Sequence, residues 1–309
     1  MKLRMPNDVG LSQPDPYIIK ANEKFYIYAT GVDGVKLYRA DELLGEWSYL
    51  GIVAVREGFK EYWAPSVVEL DGVYYMYVSC MPNEESDAHT EEMCVFTAGT
   101  PEGPFVFQKK ILEPFTIDSH IVKNEAGLFL FYSPNDYESQ KGGTHIVVDR
   151  MLDPYTPEGN PKKVVVATID EELRGRSLHV PGKDWYTIEG GFYFRKGNHH
   201  YVMYSGNCYE SEYYFVGYAH AETEESDLTK IDFKKYPSDD VYAPLLSKND
   251  FEEGTGHNSL LELDGEYYII YHGREWGEAD AGAERRTARI CRLIVDGEKL
   301  TADRYPDKL

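Results

Sequence analysis

Short aromatic runs separated by polar turn clusters dominate the chain, and one kind of run recurs five times. It reads KFYIYAT at 24–30, VYYMYVS at 73–79, LFLFYS at 128–133, HYVMYSG at 200–206 and EYYIIYHG at 266–273. Apolar residues spaced three and four apart, the helical pattern, are nearly absent. Alternating aromatic and β-branched runs bounded by Gly, Asn and Asp predict strands. The dipeptides DG at 71–72, GN at 197–198 and DG at 264–265 each stand just before a run and mark hairpin turns. Strand–turn–strand units at long, roughly regular intervals predict a repeat architecture.

Counting back from each aromatic run puts the units in register. Eleven residues before Tyr26, Tyr75, Phe129 and Tyr268 stand Asp15, Ala64, Asp118 and His257, and twelve before Tyr201 stands Glu189. These leading positions are 49, 54, 71 and 68 residues apart, and a four-stranded blade takes roughly 40–50 residues. The expectation is an all-β chain forming a single five-bladed β-propeller over residues 1–309. The first strand of every blade lines the central channel of a propeller. Asp15, Asp118, Glu189 and His257 are therefore expected to ring one mouth of that channel, with Trp63 beside Ala64.

Composition narrows the partners. The 26 Tyr, 13 Phe and 4 Trp suit strands and wet, amphipathic surfaces. A net charge of −21 argues against nucleic acid or an anionic membrane and leaves a neutral ligand. No apolar run approaches ~18 residues, and MKLRMPNDVG carries no apolar signal core, so a cytoplasmic location is expected. Cys80, Cys94, Cys208 and Cys291 lack metal-type spacing and read as free thiols, Cys80 and Cys94 facing each other across a hairpin. EEGTGH, ETEESD and GEADAGAE read as solvated acidic loops. No phosphate-cradling Gly-rich loop, zinc spacing or nucleophilic Ser/His/Asp order occurs.

Three carboxylates at one channel mouth repel one another, and burial raises their pKa values further. Such a ring needs either a cation at the axis or chemistry that uses the arrangement. Glycoside hydrolysis is such chemistry, because it needs one carboxyl kept protonated and another ionised.

SQPDPYI, VKLYRADELLGEW, YWAPSVV, TIDSH, IEGG and GTGHNS followed by YYIIYHG, in that order, resemble glycoside hydrolase family 43 over about residues 8–295. The resemblance implies a five-bladed β-propeller that inverts configuration while acting on arabinose- or xylose-containing oligosaccharides and polysaccharides. It also implies that Asp15 is the general base, Glu189 the general acid, and Asp118 the residue that tunes and orients the acid. Asp118 is followed by Ser119-His120 where the family often has Pro, and Glu189 by Gly-Gly where Gly-Pro is common; both departures leave the carboxylates in place. Arg285 resembles an arginine that binds substrate hydroxyls, a part Arg286 or Arg289 could take instead. Trp63 is expected to stack on a sugar face. His257 resembles an axial histidine that holds a structural calcium through water, or else hydrogen-bonds in the core; no cofactor is required for the reaction.

The resulting expectation is an exo-acting α-L-arabinofuranosidase, with a β-D-xylosidase as the alternative and a non-catalytic sugar-binding propeller as the rival of another class. A retaining fructan-cleaving relative would carry an Arg-Asp-Pro triplet, which the chain lacks. Trp185, Trp276 and Tyr137 are candidates for outer sugar contacts, and Trp47 for the core.

Overall fold

A computed structural model describes residues 1–6, 11–177, 180–279 and 284–304. Residues 280–283, within GEADAGAE, lie outside the described residues. The strands form five sheets, four of them antiparallel and four-stranded and the third enlarged to eight strands, antiparallel but for the pairing of Gly143 with Tyr186. Each sheet is one blade. The innermost strands are Tyr17–Ala21, Phe59–Leu70, Thr116–Asn124, Ile188–Lys196 and Glu253–Leu263. Each touches the innermost strand of the next blade, and the fifth touches the first, so the ring closes. Closure is reinforced by main-chain bonds from Leu3 to Ala288 and from Ile290 to Met1, which tie the opening residues to blade five. No helix among the described residues is long and apolar enough to cross a membrane.

The five aromatic runs are the second strands. Each packs on both faces: Lys24–Ala29 is buried at all but its first residue. The pleat instead divides the run between two neighbours. Tyr26 and Tyr28 pack with Val67, Met76 and Val78 of blade two, whereas Phe25, Ile27 and Ala29 pack with Ile270 and Ile290 of blade five. Five such clusters, one per junction between adjacent blades, make up the core.

The hairpins behave as the turn dipeptides require. Asp71 and Gly72 take φ of 52° and 84°, and Asp264 and Gly265 take 53° and 81°, the paired positive values of a type I′ turn. All four cysteines are free and buried, with Cys80 and Cys94 Sγ atoms 3.8 Å apart. The reading of EEGTGH as a solvated loop is corrected: Glu253 opens the fifth inner strand, and Glu252 and Glu253 are both buried. Arg289, Arg304 and the Tyr271 hydroxyl compensate Glu252. Trp47 is buried, its indole N–H directed at the Leu43 carbonyl.

Candidate active site

Each inner strand makes the same local break near its entry. Asp15, Ala64, Asp118, Gly190 and His257 have φ of 53°, 44°, 61°, 63° and 44°. In blades two to five the ladder to the second strand shifts register at this point, as a β-bulge does. Left-handed backbone costs of order 1–3 kcal/mol at a residue with a Cβ, so these positions are held by their surroundings. The bulge turns the side chain out of the sheet and toward the channel.

In blade four the left-handed residue is Gly190, so the strict eleven-residue register falls on Gly190 and Glu189 stands one place ahead of it. Glu189 thus occupies the position that Trp63 holds in blade two, and both line the cleft. A Cβ at Gly190 would stand 3.3 Å from the His257 ring, and its φ of 63° also favours glycine.

Three of these left-handed positions are supported by a second repeated position, four residues after the reference aromatic in each run, where Thr30, Ser79, Ser133, Ser205 and His272 stand. The Ala64 N–H donates to Thr30 Oγ1 (2.8 Å), the His257 N–H to Ser205 Oγ (2.7 Å), and the Asp15 N–H to His272 Nδ1 (3.1 Å). In three blades, then, the polar end of the preceding blade's second strand receives the strained amide. Gly190 differs, since its N–H donates to the Asp118 carboxylate at 3.1 Å.

The ring encloses a cleft of two contiguous lobes. One, of about 420 Å³, holds Asp15, Asp118, His257, Tyr214, Arg286 and Glu284 among its walls. The other, of about 360 Å³, holds Phe115, Arg174 and Trp185. Trp63, Ile117, Glu189 and Tyr209 border both lobes.

Asp15 accepts from Thr30 Oγ1 at 2.5 Å and lies 3.4 Å from Arg286 Nη1. Burial alone would raise its pKa; the His257 ring, the Arg286 guanidinium and His272 outweigh that and hold it well below the usual carboxylate range. Arg286 is the cation that persists, since burial lowers the pKa of both histidines, His272 to about 4.

Glu189 is the opposite case. Burial pushes it up to about 7 against the opposing hydrogen bond from the Tyr214 hydroxyl (2.8 Å). Asp118 is driven upward by burial and by the charges of Glu189 and Asp15. Asp118 and Glu189 therefore hold protons at a pH where an isolated carboxyl would have lost them.

Arg286, rather than Arg285, reaches the cleft. Its guanidinium is gripped through Nε and Nη2 by Glu284 at 2.7–3.1 Å and lies 4.5 Å from the Tyr209 ring centroid. Arg285 is largely exposed, 3.9 Å from Glu278, and lines neither lobe. Strand alternation does not govern the pair, because the strand begins only at Thr287. Arg289 is buried in the Glu252 network. Trp185 and Tyr137 form a ring pair with centroids 5.5 Å apart beside the second lobe, while Trp276 is exposed and bonded to the Asn249 carbonyl. His120 stacks on Phe192 beneath the ring.

Among the described residues no group of three or more His, Cys, Asp or Glu could hold a metal ion. His257 Nδ1 lies 3.5 Å from Asp15 and 3.9 Å from Asp118, above an axial void of about 10 Å³. That void has the size of one water, and calcium takes six to eight oxygen ligands. The donor set does not fit a directly ligated calcium ion.

The geometry agrees with sequence relationships. The family model for glycosyl hydrolases family 43 matches residues 9–295, and the chain belongs to that family. A thermostable family-43 glycoside hydrolase of known structure is 28% identical, with a TM-score of 0.79 over 97% of both chains. The α-L-arabinofuranosidase from Lactobacillus brevis shares the fold, with a TM-score of 0.75 at 18% identity over 94% of this chain and 93% of that one. A probable arabinan endo-1,5-α-L-arabinosidase D from Emericella nidulans is 28% identical over 85 residues, which is 26% of this chain and 22% of that protein's length.

Proposed function

We propose that the protein is an inverting, exo-acting glycoside hydrolase that releases terminal α-L-arabinofuranosyl residues from arabinose-containing oligosaccharides. The observation that carries this reading is the opposite tuning of two carboxyls facing one cleft: Asp15 is held ionised, while Glu189 is raised to about 7. Groups whose environments push their pKa values apart mark acid and base. The arabinose preference draws on the likeness to the Lactobacillus α-L-arabinofuranosidase and the probable Emericella arabinan endo-1,5-α-L-arabinosidase.

Asp15 takes a proton from a water that attacks the anomeric carbon. Glu189 donates its proton to the glycosidic oxygen as the C–O bond breaks, and the product leaves with inverted configuration. Inversion requires the two carboxyls to stand ~6.5–9.5 Å apart with the water between them. Asp118 bonds the amide next to Glu189 and helps keep the acid protonated. Arg286 and His257 face the sugar beside Asp15, and Trp63 offers it a ring face.

Hydrolysis of p-nitrophenyl α-L-arabinofuranoside and β-D-xylopyranoside by wild type and Glu189→Ala tests the reading. Arabinoside cleavage that is lost in the variant supports it; preference for the xyloside would make the protein a β-xylosidase with the same machinery. Undiminished activity in the variant would refute the role of Glu189. Failure of wild type on both, and on arabino-oligosaccharides, would leave a sugar-binding propeller.

A further inference from the structure

The second lobe has a construction of its own. The enlarged third blade adds an antiparallel pair, Leu173–Arg176 and Asp184–Tyr186, with Gly175 opposite Trp185. Tyr186 in turn pairs with Gly143, where a Cβ would stand 1.7 Å from the Tyr186 carbonyl oxygen, so only glycine permits the junction. This pair carries Arg174 and Trp185 to the wall of the lobe. Facing them are His89 and Phe115, whose ring centroids are 5.0 Å apart, with Trp185 edge-on to His89 at 6.1 Å.

The charged groups of the lobe differ in how fully they are engaged. Asp87 accepts from the His89 amide at 2.9 Å and stands 3.0 Å from His89 Nδ1. Glu189 accepts from Tyr214 and is held protonated by burial. Arg174 has Glu210 at 3.8 Å, beyond hydrogen-bond range, with both side chains partly exposed. Such a pair is weak. Among the described residues the Arg174 guanidinium makes no hydrogen bond, yet it presents five N–H donors in a planar fork that matches a carboxylate.

We propose that this lobe is the leaving-group subsite and that Arg174 selects a leaving group bearing a carboxylate, such as a uronic acid residue next to the scissile bond. The assignment of sides rests on the reading of Glu189 as the acid. Glu189 borders both lobes, whereas Asp15, Asp118 and Arg286 border only the first, so the departing sugar extends into the second. The aromatic walls suit one face of a sugar ring. With a net charge of −21, the protein repels anions at long range, but fields beyond roughly 10 Å are screened at ordinary salt, and a local cation then decides selectivity.

Two experiments read the lobe separately. Calorimetric titration with methyl glucuronoside and methyl glucoside needs no cleavage. Wild type is expected to bind the glucuronoside about tenfold more tightly, Arg174→Gln to abolish the difference, and Arg174→Lys, which keeps charge without the fork, to retain part of it. Equal binding by wild type, or a preference that persists in Arg174→Gln, overturns the proposal.

The second experiment compares kcat/KM on 4-carboxyphenyl and 4-carbamoylphenyl α-L-arabinofuranosides. The ratio between them should fall about tenfold in Arg174→Gln; an unchanged ratio overturns the proposal. Selective glucuronoside binding by a wild type that cleaves neither arabinoside would uphold the anion site while refuting the arabinofuranosidase reading.

Discussion

Replacing Tyr214 by Phe removes a hydroxyl that donates to Glu189. Tyr214 is buried and Glu189 is half-buried at the cleft, and the bond to Glu189 Oε1 is 2.8 Å long. It stabilises the ionised form, so its loss must raise the pKa of Glu189 above its value of about 7. A hydrogen bond to a charged group contributes about 1.5–3 kcal/mol, and 1.36 kcal/mol corresponds to one pKa unit. The cleft admits water, so the lower end applies and the expected rise is about one unit. The alkaline limb of kcat/KM against pH reports this group in the free enzyme. That limb should lie near 7 in wild type and move about one unit higher in Tyr214→Phe. A limb that stays in place, or moves down, would refute the claim that Tyr214 tunes the acid.

The remaining predictions are briefer. Asp118→Asn should abolish hydrolysis yet raise the melting temperature at pH 8, because a buried carboxyl with a raised folded-state pKa loses stability as pH rises through that value; the gain should vanish near pH 4. Denaturation at the two pH values checks it. Thr30→Val should destabilise by about 1–3 kcal/mol, since it strands the Ala64 amide, and should move the acidic limb of the rate profile upward by freeing Asp15 Oδ2. Arg286→Ala should cost at least tenfold in kcat/KM by removing the cation beside Asp15, whereas Arg285→Ala should leave rates unchanged.

Much of this site is visible in one sequence because a propeller repeats. The run that supplied the register also contains Thr30 and His272, four residues past the reference aromatic, and applying the same count would have found both supports of Asp15. The twelve-residue offset of Glu189 is likewise informative: it marks the place where glycine takes over the left-handed position. Arg286 could not be chosen over Arg285, because the residues before Thr287 follow no strand period. Tyr214 lies on no repeated position and meets Glu189 only through the fold. Glu252 reads as surface charge because Arg289 and Arg304, which compensate it, are brought to it only by tertiary packing. Side chains fixed by the pleat or the repeat were legible; those fixed by a long-range partner were not.

The most direct measurement is proton NMR of the first sugar released from an α-L-arabinofuranoside, recorded before mutarotation. With Asp15 activating water and Glu189 protonating the leaving oxygen, the first signal should be the β-anomer, followed by slow appearance of the α. Initial formation of the α-anomer would mean a covalent, retaining route, and would contradict the assignment of Asp15 as a base.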